Sequence, residues 1–170
     1  MTLTATFTAS LKADQNGPNT FADEFSPSLS KLQRLADGTG ANQADLIYAA
    51  ERSVATASND DLDLSGTLTD AFGATITMAE MVGIIVINQA KDGTANTTDL
   101  TIGGATNPFI GFLGATDTIG PIKPGGSFML FAGDADGIGT VTAGTGDILR
   151  IANSSGATAA YQIAILGRSA

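Results

Sequence analysis

The chain opens on a strict alternation. Leu3, Ala5, Phe7, Ala9 and Leu11 are apolar, and Thr4, Thr6, Thr8 and Ser10 between them are polar. Successive side chains of an extended chain point to opposite faces, so Thr2 to Lys12 reads as a strand with one covered face. Asp14 to Asn19 (DQNGPN) has the residues of a loop, and Phe21 to Pro27 is a link without a period. Leu29 to Leu35 alternates again, with Lys31, Gln33 and Arg34 toward solvent, and ends at the turn cluster Asp37-Gly38-Thr39-Gly40. Asp45 to Val54 supports two readings. Asn42 with Asp45 three residues on resembles a helix cap, and Leu46, Ile47, Ala50 and Val54 then share a helical face. At a period of two, Leu46, Tyr48, Ala50 and Val54 share a strand face. The strand-like neighbours on both sides decide for a strand.

The remainder is short β-branched runs cut by Gly, Asn and Asp. Asp60 to Thr69 (DDLDLSGTLT) reads as a strand or an edge segment with Leu62, Leu64 and Leu68 inward and Gly66 at a bulge. Met78 to Met81 reads as one helical turn. Val82 to Asn88 (VGIIVIN) is apolar on both faces, the mark of a central strand. Lys91-Asp92-Gly93 turns the chain into Asp99 to Gly103. Asn107 to Leu113 is a strand whose Pro108 places its start at an edge. Ile119 to Lys123 is extended, and Pro124-Gly125-Gly126 turns into Ser127 to Ala132, a second strongly buried strand. Ile148 to Asn153 and Ala160 to Gly167 close the chain, joined by the loop Asn153-Ser154-Ser155-Gly156. Roughly eight to ten strands with a turn every ten residues or so give an all-β fold, an antiparallel β-sandwich of jelly-roll-like kind. Residues 1–27 are expected to form an N-terminal strand, or extended arm, and a link, and residues 28–170 a single sandwich core.

Composition narrows the chemistry. The 170 residues include no Cys and no His. Thiolate and imidazole metal sites, disulfides, and Cys–His or Ser–His–Asp catalysis therefore fall away. Charged residues make up 15% of the chain and its formal net charge is -9, so a phosphate backbone would repel it and no nucleic-acid partner is expected. The longest apolar run, Val82 to Ile87, has the length of one buried strand and not of a membrane span. The start, MTLTATFTAS, has neither a basic head nor a continuous apolar block, so it reads as part of the fold or of an assembly arm rather than as a secretory signal.

The remaining candidates for chemistry are acidic. Asp134-Ala135-Asp136-Gly137 begins like a calcium loop, but Ile138 and Gly139 follow and no distal Glu arrives, so it reads as a surface turn. Asp60, Asp61 and Asp63 are dense enough to attract a divalent ion, and read more simply as a charged strand edge that discourages aggregation. Glu24, Glu51 and Glu80 are isolated in sequence, and nothing pairs two of them at the separation of about 5 to 10 Å that a glycosidase needs. Gly137-Ile138-Gly139 and Gly144-Thr145-Gly146 lack the Lys and the following helix of a phosphate loop. Trp is absent and Tyr48 and Tyr161 are the only tyrosines, too few for a sugar-stacking platform, while Phe109, Phe112, Phe128 and Phe131 read as core. No catalytic, cofactor-binding or metal residue is assigned, no cofactor is expected, and the chain is not expected to be an enzyme.

The ordered segments DGTGANQADLIY (Asp37–Tyr48), DLDLSGTLTDAFG (Asp61–Gly73), VGIIVINQ (Val82–Gln89), LTIGGATNPF (Leu100–Phe109), IKPGGSFMLF (Ile122–Phe131) and ILRIANSSG (Ile148–Gly156) cover most of the chain. Together they resemble small virion structural proteins of tailed bacteriophages. The resemblance implies a β-sandwich that decorates or cements the outer surface of the head. It also implies assembly as a homotrimer bound to the major capsid protein, with no membrane partner. A tail or head–tail component, or a surface or carbohydrate-binding module, are the alternatives it leaves. Thr2 to Lys12 is expected to lie on a neighbouring subunit by strand addition.

Overall fold

A computed structural model describes residues 2–15, 25–154 and 156–170. Most of the DQNGPN loop and of the Phe21 to Pro27 link, with Glu24 and Ser155, lies outside the described residues. Among the described residues thirteen strands follow one another: β1 (Ala5–Lys12), β2 (Ser28–Leu35), β3 (Leu46–Val54), β4 (Asn59–Asp63), β5 (Ser65–Thr69), β6 (Thr75–Thr77), β7 (Glu80–Ile87), β8 (Leu100–Gly103), β9 (Thr118–Ile122), β10 (Ser127–Phe131), β11 (Gly139–Thr140), β12 (Ile148–Asn153) and β13 (Ala159–Arg168). The described residues contain no helix, and the strands pair antiparallel throughout. The chain is an all-β sandwich. One sheet runs β10-β7-β13-β3, with β11 added to β7, and the other runs β4-β12-β8-β9. Two hairpins, β1-β2 and β5-β6, complete it.

The core is the interleaving of two alternating faces. From the first sheet, Tyr48, Ile84, Val86, Tyr161, Ile163 and Ile165 point inward. From the second come Leu62, Leu100, Ile102, Ile122, Leu149 and Ile151, and the β5-β6 hairpin adds Leu68 and Ile76. The segment at 45–54 is a strand because β13 pairs along its whole length, from Ala159 opposite Val54 to Gly167 opposite Leu46. β7 is central, held by β10 on one side and β13 on the other. Its outer face is covered at Gly83, where Phe7 of β1 lies over it, while Ile85 and Ile87 further along stay half-buried.

Four local expectations are corrected. Met78 to Met81 is extended and not a helical turn, because the amides of Met78 and Ala79 donate to Leu64 O and Arg168 O instead of to their own turn. Asn107 to Leu113 is irregular and not a strand. Asn107 takes a positive φ of 54°, Pro108 makes only an isolated bridge to Ile148, and Leu113 N closes a turn on Ile110 O. Gly111 there lies so close to Gly139 that a β-carbon would sit 2.5 Å from the Gly139 Cα, so the loop folds down on the β11 segment. Asp60 to Thr69 is two strands in different sheets, parted at Leu64, and the pairing of β5 with β6 is irregular between Ser65 and Thr69, the stretch that holds Gly66. Ser127 to Ala132 is an edge strand of intermediate burial, since β10 has a partner only in β7.

Candidate assembly surface

The first strand finds its partner within the chain. β1 pairs with β2 from Ala5 opposite Leu35 to Lys12 opposite Ser28, so that edge of β1 is not available for addition to another subunit. The hairpin packs on the sheet by one face. Phe7 is buried, stacks on Phe131 with ring centroids 4.9 Å apart, and shares a small second core with Leu35, Ala44, Val82 and Leu166. It fits because residue 83 is Gly: a β-carbon there would stand 2.4 Å from the Phe7 ring. Phe131 thus belongs to this outer layer, while Phe109 lies in the main core and Phe112 and Phe128 pack against it.

Beyond Phe7 the same face of the hairpin leaves the core. Leu11 and Leu29 stand directly opposite each other and are 59% and 62% exposed. Ala9, Ser10, Ser30 and Lys31 flank them on an open part of the hairpin. Replacing Phe7 with Ala is expected to undock this hairpin without unfolding the sandwich. Loss of a buried phenyl costs about 3 kcal/mol, which corresponds to roughly a hundredfold faster amide exchange in β1 and β2. Exchange in β7 and β13 should stay protected, and a uniform loss of protection would refute the separation.

The outer face of the sheet under the hairpin is apolar in its first two rows and mixed in the third. Cross-strand registers place Phe131, Gly83, Leu166 and Ile47 in one row, Met129, Ile85, Ala164 and Ala49 in the next, and Ser127, Ile87, Gln162 and Glu51 in a third. Phe7 covers the first row. The second and third line an open trough of about 440 Å³ that includes Ala49, Glu51, Ile85, Ile87, Lys91 and Ala164. Ala49 also borders a second hollow, of about 290 Å³, formed with Leu3, Asp45, Ile47, Asp70 and Phe72. Phe72 tips the β5-β6 hairpin, whose turn is closed by the Phe72 and Ala74 amides donating to Asp70 Oδ1, and it is 76% exposed.

The acidic candidates go separate ways. Asp60 faces inward and accepts two hydrogen bonds of 2.6 Å from the Arg52 guanidinium and one of 2.7 Å from the Tyr161 hydroxyl. Arg52 donates in addition to the Tyr48 hydroxyl, so both tyrosines are tied into the sandwich and neither offers a stacking face. Burial opposes ionisation of Asp60, but the bonds from Arg52 and Tyr161 outweigh it and hold its carboxyl below the usual range. Arg52 is held charged by its bonds to Asp60, against the cost of burial, and burial first, then the Asp60 bond, pushes the Tyr161 hydroxyl upward. Asp61 pairs outward with Arg150, directly opposite on β12, and raises the Arg150 pKa through that bond. Asp63 accepts from the Ser65 amide. Among the described residues no group of three or more acidic side chains is gathered where it would hold a metal ion.

The Asp134 to Gly137 turn serves the fold by its carbonyls. Arg168, fully buried at the end of β13, donates to Asp134 O, Ala135 O and Gln43 O and to the Glu80 carboxylate at 2.8 Å. Glu51 accepts from the Lys91 amide, so Glu51 and Glu80 are occupied with different structural partners. Gly137 and Gly139 lie beside Met81 O and Gly111, and Gly144 donates to Asp147 Oδ2, so both glycine pairs shape turns.

Comparison with protein-family models, curated proteins and solved structures gives no match for the chain. Its functional reading rests on its own surfaces. Sequence patterning located the alternation of Thr2 to Lys12 but not the two apolar hollows, because the small residues of the trough, Ala49 and Ala164, become a surface only when β3, β7 and β13 lie side by side.

Proposed function

We propose that this chain is a virion structural protein that decorates or cements a phage head, binding the major capsid protein and copies of itself, with a homotrimer as the expected unit. The observation that carries the reading is the β1-β2 hairpin, docked at Phe7 and apolar and exposed at Leu11 and Leu29. A monomer gains nothing in water from a projecting pair of leucines, and contiguous exposed apolar surface marks contact with another protein. The all-β sandwich and the order of the resembling segments support the virion setting. The net charge of -9 suits the outside of a DNA-filled shell better than its interior. Its role is read as that of a scaffold: the half-buried Arg52 and Asp60 and the buried Tyr161, Asp147 and Arg168 are bonded to one another and to backbone groups.

Quantitative mass spectrometry of purified particles that carry this chain tests the proposal. A copy number comparable to that of the major capsid protein is expected. A few copies per particle would move the chain to the tail or head–tail junction, and its absence from particles would overturn the virion reading.

A further inference from the structure

The geometry points to a head-to-tail contact between two copies of this chain, in which the Leu11–Leu29 end of one hairpin seats in the outer-sheet trough of the next copy. The inference deepens the proposed self-assembly and names its two surfaces, but it does not depend on which particle carries the chain.

Three observations converge on a second copy as the occupant. The first is continuity with a contact the fold already makes. The face of the hairpin that carries Phe7 is the face that carries Ala9, Leu11 and, opposite, Leu29, because residues two apart share a side. That face already lies on the outer face of this sheet, with Phe7 over Gly83 and Phe131. β1 crosses the sheet from Leu3, which shares a hollow with Ile47 of β3, to Phe7, which stacks on Phe131 of β10. Since β10 is the edge strand, the rest of the hairpin runs on past the sheet and cannot fold back over the Ile85 and Ile87 rows of its own copy. Each copy thus offers one apolar ridge and one apolar trough that do not meet within it.

The second observation is charge. β1 and β2 carry no acid, and Lys31 stands on the same face as Leu11 and Leu29, opposite Ala9, while Lys12 and Arg34 belong to the other face and Lys12 pairs with Asp14 at 4.0 Å. Residues 36–170 hold five Lys and Arg against 14 Asp and Glu, a net -9. A basic ridge therefore meets an acidic body in another copy. Around the trough and its neighbouring hollow stand Glu51, Asp45 and Asp70, with Lys91 the one cation among the lining residues described. Ridge against ridge would bring Lys31 onto its own image, so the charges disfavour a symmetric contact and favour a head-to-tail one.

The third is shape. The trough is floored by Ala164 of β13 and Ala49 of β3, with the taller Ile85 and Ile87 of β7 along one side, and so is recessed where a pair of leucines would sit. A head-to-tail contact uses different patches on the two partners, so it either closes into a ring or continues as a filament. The homotrimer expected from the proposed function is such a ring.

The test uses the full chain and two surface variants. Leu11→Ser with Leu29→Ser removes the ridge and leaves the trough. Ala49→Lys blocks the trough with a charge like that of the ridge and leaves the ridge intact. Each changes only exposed positions, and an unchanged melting temperature verifies the fold. By sedimentation equilibrium the unmodified chain is expected to form a closed oligomer that weakens as salt is raised. Each variant alone is expected to lose about tenfold or more in association. An equimolar mixture of the two should recover a dimer, because it contains one intact ridge and one intact trough. A monomeric unmodified chain at every concentration would overturn the inference, as would an Ala49→Lys variant that assembles normally, or a mixture that stays monomeric. If the chain is monomeric in solution yet present in particles at the copy number of the capsid protein, this contact fails while the decoration reading stands.

Discussion

Replacing Arg168 with Met is expected to destabilise the protein by about 3–5 kcal/mol, the usual cost of removing one partner from a buried charged cluster. The guanidinium is fully buried and donates to four oxygens: Gln43 O, Asp134 O, Ala135 O and Glu80 Oε2. Met fills much of the volume but donates nothing, so three backbone carbonyls and one carboxylate lose their partner together, and buried acceptors left unpaired keep their full desolvation cost. The loss also unfastens three parts of the chain, since these oxygens belong to the segment before β3, the start of β7 and the turn after β10. Urea denaturation should show the midpoint fall with little change in slope, and the melting temperature should drop by roughly 10 °C or more. Arg168→Lys should recover only part of the loss, because a single ammonium cannot reproduce the planar fork that reaches Asp134 O and Ala135 O together. A Met variant within about 0.5 kcal/mol of the unmodified protein would show that the cluster is not what joins these segments.

The alternation of β1, β3 and β13 was readable in the chain because a strand with one buried face writes its burial at a period of two. Tyr48, Ala50 and Val54, and Tyr161, Ile163 and Ile165, are the inward sets the pattern implies. The apolar run of β7 likewise identified a central strand, although it did not reveal that its outer face is covered only at Gly83, by Phe7 from the chain's own start, and stays open at Ile85 and Ile87. What stayed hidden is pairing at long range. Asp60 looks like one of three surface acids in sequence, yet it alone turns inward, because its partners lie eight and 101 residues away at Arg52 and Tyr161. Arg168 was equally silent. The bulge between Leu166 and Gly167 shifts the phase of β13 just before it, so a residue that regular alternation would not assign to the interior is buried. The one available signal was an arginine closing the most regular apolar strand of a chain with only eight Lys and Arg. Asn107 to Leu113 shows the converse failure. Its composition is that of a strand, but the contact of Gly111 with Gly139 is set by tertiary packing, which overrides local preference.

Asp60→Asn should cost about 2 kcal/mol at neutral pH and make the protein less sensitive to acid. The carboxylate takes a bidentate pair of bonds from Arg52 and a third bond from Tyr161, and charge-assisted bonds of this kind contribute about 1.5–3 kcal/mol each when buried. The Arg52 side chain is 32% exposed, so solvent screens the pair and lowers the sum well below a fully buried one. The amide keeps one acceptor oxygen for Arg52 or Tyr161 but presents an N–H to the other donor. The pH dependence follows from direction alone. In the folded protein the Asp60 carboxyl titrates below its ordinary range, so the folded state binds its proton less readily than the unfolded chain does. Its stabilisation is therefore fully present above the ordinary carboxylate pKa of about 4 and is lost as the pH falls from there through the folded value. Asp92, exposed and lowered by the Thr94 amide, acts in the same direction and remains in the variant, so some acid dependence persists. Melting temperatures of the two proteins between about pH 7 and pH 2 should converge as the pH falls. Parallel curves would mean that Asp60 titrates alike folded and unfolded, and that its bonds to Arg52 and Tyr161 do not hold the two sheets together.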